Sequence, residues 1–414
     1  MKNEIISLLA VALLGAMSLA CFSKSTAAAA TAENPVRLRV DVDRAVLPAN
    51  SREHAVVKIG LDCLPPPRRD RRAPVNLALV IDRSGSMAGD KIARAREAAL
   101  EAVRRLGPDD IVALIAYDTG VQTLVPAQRV GDGRRLEAAI GRIEAGGNTA
   151  LHGGVTRGAS EVRRFMEDRR YINRVILLSD GLANVGPSAP DDLARLGAAL
   201  GREGIAVTTI GLGLGFNEDL MTRLAQRSEG NTYFVEHSGD LPRIFAAELG
   251  EVLSVVARRV VIEIEFPAGV RPLRFVGREG SIRGQRAELT LSQLYGGQEK
   301  FALVEVEVAP AESGAELEIA RASVSYEDAF EQRSERLSAG RRVQFSGSQA
   351  AVIKSADHQV QADYAANVIA LAKDEAILLV DSNQRGAAAA LIRERTQELS
   401  KMADTYGNGA LGQV

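Results

Sequence analysis

Tryptophan is absent from this chain, and aromatic residues make up only 4% of its 414 positions. That scarcity removes the stacking platforms that single-stranded nucleic acid requires. A net charge of −2 supplies no broad basic field for nucleic acid or for an anionic membrane. Cysteine occurs twice, at Cys21 and Cys63, and histidine four times, with no Cys/His cluster at zinc spacing. No Gly-x-Ser-x-Gly elbow surrounds a candidate serine. Beyond residue 20 no run approaches the roughly 18 to 20 apolar residues of a membrane-spanning helix, so no transmembrane channel is expected. What remains is ordinary for a folded chain: 46% hydrophobic and 25% charged residues. The length suggests about two to three domains.

The first residues form an export leader. Lys2 precedes an apolar run over residues 5–20, and Ala30-Thr31-Ala32 has the small-x-small form of a signal-peptidase site. The reading is a signal peptide over 1–32 and an exported protein of the periplasm or cell envelope. A lipoprotein anchored through Cys21 ranks second, because Ser18 stands where an aliphatic residue is usual. Removal of Cys21 would leave Cys63 alone, so stability must come from the core rather than from a disulfide.

Residues 36–42 and 54–62 alternate as two half-buried strands. A proline- and arginine-rich stretch over 65–72 follows and reads as a stiff, solvated linker. From 75 to 257 the pattern becomes strand–helix alternation, which argues for a mostly parallel sheet covered on both faces. Expected strands are 77–81, 111–117, 121–125, 175–178, 205–210 and 232–235. Expected helices are 91–106, 134–143, one ending near 166, 191–203, 217–227 and 240–256. From 258 to 346 short alternating strands return (260–266, 287–291, 301–308, 317–326, 342–345), and turn residues separate them. Five such strands make an incomplete β-sandwich, and the two early strands would complete it. The expected organisation is therefore a doubly wound, Rossmann-like α/β domain (75–257) inserted into a β-sandwich built from 33–64 and 258–346. A helical tail over 349–404 closes the chain.

The most informative stretch is 77–87, Leu-Ala-Leu-Val-Ile-Asp-Arg-Ser-Gly-Ser-Met. An apolar strand ends abruptly in Asp82, Ser84 and Ser86. These side chains offer hard oxygen, one charged and two neutral, which is the mixture magnesium accepts in an octahedral shell that keeps some water. A helix-capping turn is the plain alternative. In doubly wound sheets ligands bind beyond the carboxyl ends of the strands, where strand order reverses. Two more polar motifs fall there: Gly146-Gly147-Asn148-Thr149 and Ser179-Asp180-Gly181. His152 reads as a helix-start packing residue and Asp118 as a turn residue. Gly211-x-Gly213-x-Gly215 lacks the third glycine of a dinucleotide fingerprint, because Phe216 follows.

These three motifs, in this order, resemble the metal-ion-dependent adhesion site (MIDAS) of von Willebrand factor type A (VWA) domains, and the flanking strands resemble those of bacterial envelope members. The resemblance implies a divalent ion, magnesium foremost with manganese or calcium as substitutes. It implies Ser84 and Ser86 as direct ligands with Asp82 beside them, Thr149 as a direct or water-mediated ligand, and Asp180 holding a metal-bound water. It further implies a non-enzymatic module that captures an Asp or Glu carboxylate of a protein partner. An envelope scaffold with a structural metal is the alternative, and a metal-dependent hydrolase a weaker third. Partner identity and oligomeric state are not legible.

Overall fold

The computed structural model describes residues 34–65, 72–180, 183–213 and 217–409. The expected leader, most of the proline-rich linker, Gly181, Gly215, Phe216 and the last five residues lie outside these.

The α/β domain is built on a six-stranded sheet. Its order is Val121–Arg129, Ile111–Tyr117, Val75–Asp82, Ile172–Ser179, Ala206–Leu212, Thr232–Val235. All pairings are parallel except that of Val121–Arg129, an antiparallel edge strand reached by a tight turn at Asp118. The central strand Val75–Asp82 is buried at every position, as expected of a strand covered on both faces. Its alternate side chains enter two different cores. Leu77, Leu79 and Ile81 pack with the helices Asp90–Arg105 and Leu241–Val252. Ala78 and Val80 pack with Leu151–Arg163 and the core that also holds residues of Pro190–Arg202 and Glu218–Arg227. Strand order reverses at this central strand, so its carboxyl end sits at the switch point.

The flanking segments form two further sheets. One has the order Val36–Val42, Glu53–Cys63, Glu299–Val308, Val270–Val276. The other runs Ser281–Arg283, Arg286–Tyr295, Val255–Glu265, Glu316–Asp328, Ser334–Ser346, Val46–Pro48. Residues of both sheets share one apolar core, which makes the pair a sandwich. The α/β domain is thus inserted between the second and third long strands of that sandwich. A short helix Gln349–Lys354 leads to the hairpin His358–Asp381 and Arg385–Tyr406. Val360, Tyr364, Val368 and Ile369 of the hairpin cover Val56, Val276 and Leu303 on the outer face of the four-stranded sheet. Beneath the hairpin Lys58, 2% exposed, is clamped between Asp363 (2.7 Å) and Glu299 (2.8 Å).

Two expectations about elements are corrected. The helix expected over 240–256 stops at Val252, and Val255 already opens a sandwich strand. The sandwich also holds strands the pattern did not reveal: Val46–Pro48, Val270–Val276 and Ser281–Arg283. Cys63 is a buried free thiol, and burial pushes it up to about 11. No helix among the described residues is long and apolar enough to cross a membrane.

Candidate functional site at the carboxyl ends of the central strands

Asp82 is the last residue of its strand and fully buried. Its Oδ1 accepts the Ser84 backbone N–H at 2.8 Å, an Asx-type bond that turns the chain sharply out of the sheet. Its Oδ2 accepts Ser179 Oγ–H at 2.5 Å and Tyr117 O–H at 3.3 Å. Burial raises the Asp82 carboxyl above its ordinary value, and the bonds from Ser179 and Ser84 pull it back. Tyr117 is raised well above the usual phenol range, by burial first and by the Asp82 charge next.

After the turn, Gly85–Met87 forms one 3-10 turn, with Met87 buried as an anchor in the core below. Ser84 is buried and Ser86 exposed, and their hydroxyl oxygens lie 3.1 Å apart. The second loop docks by backbone bonds: Gly146 N–H to Arg83 O (2.7 Å) and Gly85 N–H to Gly147 O (2.9 Å). Gly147 has φ +80°, and a Cβ there would stand 2.9 Å from Thr119 Oγ1, so only glycine fits this crossing. Two residues later Thr149 is 2% exposed. Its N–H donates to Asn184 Oδ1 at 2.8 Å, and its C=O accepts from Asn184 and Val185. The third loop thereby locks onto the second.

Asp180, 3% exposed, directly follows the strand beside that of Asp82. Its Oδ2 accepts from Lys91 Nζ at 3.0 Å. Its Oδ1 is shielded from solvent and has no hydrogen-bond partner among the described residues. The five residues singled out from the sequence therefore lie on three loops tied together by direct backbone and side-chain bonds. Two carboxylates and three hydroxyls make a hard-oxygen donor set suited to magnesium, and the unsatisfied buried Asp180 oxygen fits a cation or its bound water. Among the described residues no three His, Cys, Asp or Glu side chains converge as a metal site.

Sequence reasoning assigned no function to Ser179, Tyr117, Lys91 or Asn184, which orient the carboxylates and loops. Ser179 was legible as a polar residue ending an apolar strand, but its contact with Asp82 is 97 residues away in sequence. Asp118 is the turn residue expected: it accepts from the Gly120 N–H and pairs with Arg83 at 2.9 Å. His152 bonds within its own helix, to Thr156.

Fold and strand-end polar site together define a doubly wound α/β interaction domain carried on a β-sandwich. Residues 76–247 match the von Willebrand factor type A domain. The chain therefore carries a VWA domain over these residues. It is 33% identical over 176 residues to uncharacterized protein sll0103 of Synechocystis sp., covering 42% of this chain and 41% of that one. It is 27% identical over 253 residues to uncharacterized protein YfbK of Escherichia coli, covering 60% and 43%. The matched regions thus span about two fifths of the length of these relatives. A solved von Willebrand factor type A structure from Catenulispora acidiphila shares the fold across both parts of the molecule. Its TM-score is 0.68 at 18% identity, over 91% of this chain and 90% of that one. A VWA domain is a protein-interaction module and not a catalytic one.

Proposed function

We propose that the protein is an exported, divalent-metal-dependent binding module that captures an Asp or Glu side chain of a protein partner in the cell envelope. The observation that carries this reading is the buried, unpartnered Oδ1 of Asp180, whose charge acts on Asp82 at the end of the adjacent strand, together with the paired hydroxyls of Ser84 and Ser86 and the buried Thr149 on the loops bonded to that end. Ser84 and Ser86 would bind magnesium directly. Thr149 would do so directly or through water, and Asp180 mostly through water, while Asp82 orients the serine loop. A bound ion would carry residual positive charge toward solvent, because few protein charges face it, and a partner carboxylate complements that charge. Manganese or calcium would substitute for magnesium. Within this reading residues 1–32 are a signal peptide. Residues 75–257 form the binding domain, 33–64 and 258–346 its sandwich, and 349–404 the tail.

A second reading rests on the hairpin. Ile377, Leu378 and Val380 are exposed near its tip and Leu371 midway along its first helix, which suits a scaffold whose contacts come from the tail, with the metal merely stabilising the domain. Capture of partners from envelope extract separates the two. Loss of capture in EDTA and in Asp82→Ala supports the metal-dependent module. Equal capture by wild type and variant favours the scaffold.

A further inference from the structure

A cleft of about 730 Å³ lies between the α/β domain and the sandwich. Tyr171 and Asn173, at the amino end of the strand that leads to Asp180, line it. Seven residue steps of strand therefore separate Asn173 from Asp180, roughly 23 Å.

Arg258 lines this cleft and is 7% exposed. Its Nη1 donates to the carbonyls of Arg169 and Tyr171. Its Nε is buried without a partner among the described residues. Nη2 makes no hydrogen bond to any described residue. Burial pulls this guanidinium below its ordinary value, but an arginine stays charged at any working pH. A buried cation without a carboxylate is costly unless something else completes it.

Glu327 acts on this charge from a distance, but the cleft's own carboxylates are engaged elsewhere. Glu327 pairs with Arg259 at 2.7 Å, Glu203 with Arg163 at 2.6 Å and Glu279 with Arg227 at 2.5 Å. Glu229 accepts the Ser292 N–H at 2.7 Å. The backbone is also specialised here. The register of Val255–Glu265 against its neighbour breaks between Arg258 and Val261, and Arg259 takes φ +49°. Glu229, on the opposite wall, has φ +58°. Bulges and left-handed residues of this kind re-aim side chains beside binding sites. Gln293, on the same wall, is held by the buried Arg174 at 3.2 Å.

We propose that this cleft is a second binding site, for an oxyanion (a carboxylate or phosphate group of a small ligand) seated on the Arg258 guanidinium. A planar guanidinium with unoccupied donors suits such a group, and charge-assisted bonds of this type are the strong ones. The site is independent of the metal reading.

Calorimetric titration of the whole chain with inorganic phosphate and with succinate, at fixed ionic strength, tests it. Saturable binding is expected, weakened about tenfold or more in Arg258→Gln, the loss of one charge-assisted pair. Thr290→Trp, an exposed position lining the cleft, should weaken it equally without altering the guanidinium. Asp82→Ala should bind as wild type. Phosphate alone binding identifies a phosphorylated ligand, succinate alone a carboxylate, and either result supports the site. No saturable binding of either, or binding that survives Thr290→Trp, overturns it. If Arg258→Gln fails to fold, Thr290→Trp decides.

Discussion

Ser179 Oγ donates to Asp82 Oδ2 across 2.5 Å, so the strand that delivers Asp180 also fixes the carboxylate at the end of its neighbour. The two acidic residues of the candidate site are thereby set by one strand pairing, that of Val75–Asp82 with Ile172–Ser179. Among the described residues, Ser179→Ala leaves Asp82 Oδ2 with only the longer bond from Tyr117. The expected loss of stability is about 1–2 kcal/mol, because a buried acceptor loses its best donor. If the site holds a metal, affinity should fall by about 10- to 100-fold, as for other residues that orient ligands. Urea denaturation and calorimetric magnesium titration measure the two effects separately.

Metal removal should lower the melting temperature. A ligand that binds only the folded state stabilises it by about 2.7 kcal/mol at one hundred times its dissociation constant. Melting in EDTA, then in millimolar magnesium, manganese or calcium, should give a rise in wild type and none in Asp82→Ala. No rise for any ion in wild type would sink the metal reading.

Gly154→Ala should destabilise the fold and disturb the site together. An added Cβ would stand 2.7 Å from Tyr117 Cδ1, and that ring is fully buried with no room to yield. Alanine gains about 1 kcal/mol of helix propensity over glycine, but overpacking costs about 1–3 kcal/mol and outweighs it. The displaced ring carries the hydroxyl that reaches Asp82. A lower urea midpoint with weaker magnesium binding is the expected result. A rise in midpoint would refute the packing account.

Lys58→Ala should loosen the C-terminal hairpin. The ammonium is buried between Glu299 and Asp363, and removing it leaves Asp363 uncompensated, at a cost of about 3 kcal/mol. Amide exchange should quicken in 358–406 and stay slow in the α/β sheet. Replacing both partners, Lys58→Met with Asp363→Leu, should recover most of the loss.

Stability should vary with pH through two neighbours in the sandwich. Burial lowers Lys300 from its ordinary 10.5 to about 8. Between those values the unfolded chain binds the extra proton, so stability rises as pH increases, by on the order of 1–3 kcal/mol at most. Burial raises Cys63 from 9.0 to about 11, and there the folded chain keeps the proton. Its contribution falls as pH rises through 9 to 11. Lys300→Met should flatten the rise between pH 8 and 9, and Cys63→Ala should remove the later fall. Equilibrium unfolding from pH 7 to 11 reads both slopes.

The sheet of the α/β domain was legible because its strands are buried on both faces and read as unbroken apolar runs, as 77–81 does. The loops of the candidate site were legible because an apolar run that stops at Asp82 leaves polar residues at a switch point, though all but Ser86 of the five are buried there. The sandwich was less so. Val270–Val276 contains Pro272, which demotes a strand, and the structure places it at a sheet edge, where a missing N–H is tolerated. Ser334–Ser346 is mostly exposed and polar, so only its apolar end at 342–345 stood out. The helix after Asp240 was read too long because Val255 and Val256 continue the apolar pattern. Their burial belongs to different cores, Val255 to the α/β domain and Val256 to the sandwich. Ser179, Tyr117 and Lys91 act at the site only through partners 35 to 97 residues distant, and no local pattern encodes such contacts.

The strand Glu53–Cys63 pairs on one side with Val36–Val42 and on the other with Glu299–Val308, Asp62 opposite Glu299. During synthesis that second neighbour arrives only after the entire α/β domain has been made. The inserted domain is one continuous stretch of chain and can close before the sandwich, which must wait for pairings of still longer sequence separation, such as Asp62 with Glu299. Until then one flank of a buried apolar strand stands unpaired. Folding of this molecule is therefore ordered in time by its topology, the binding domain first and its platform last.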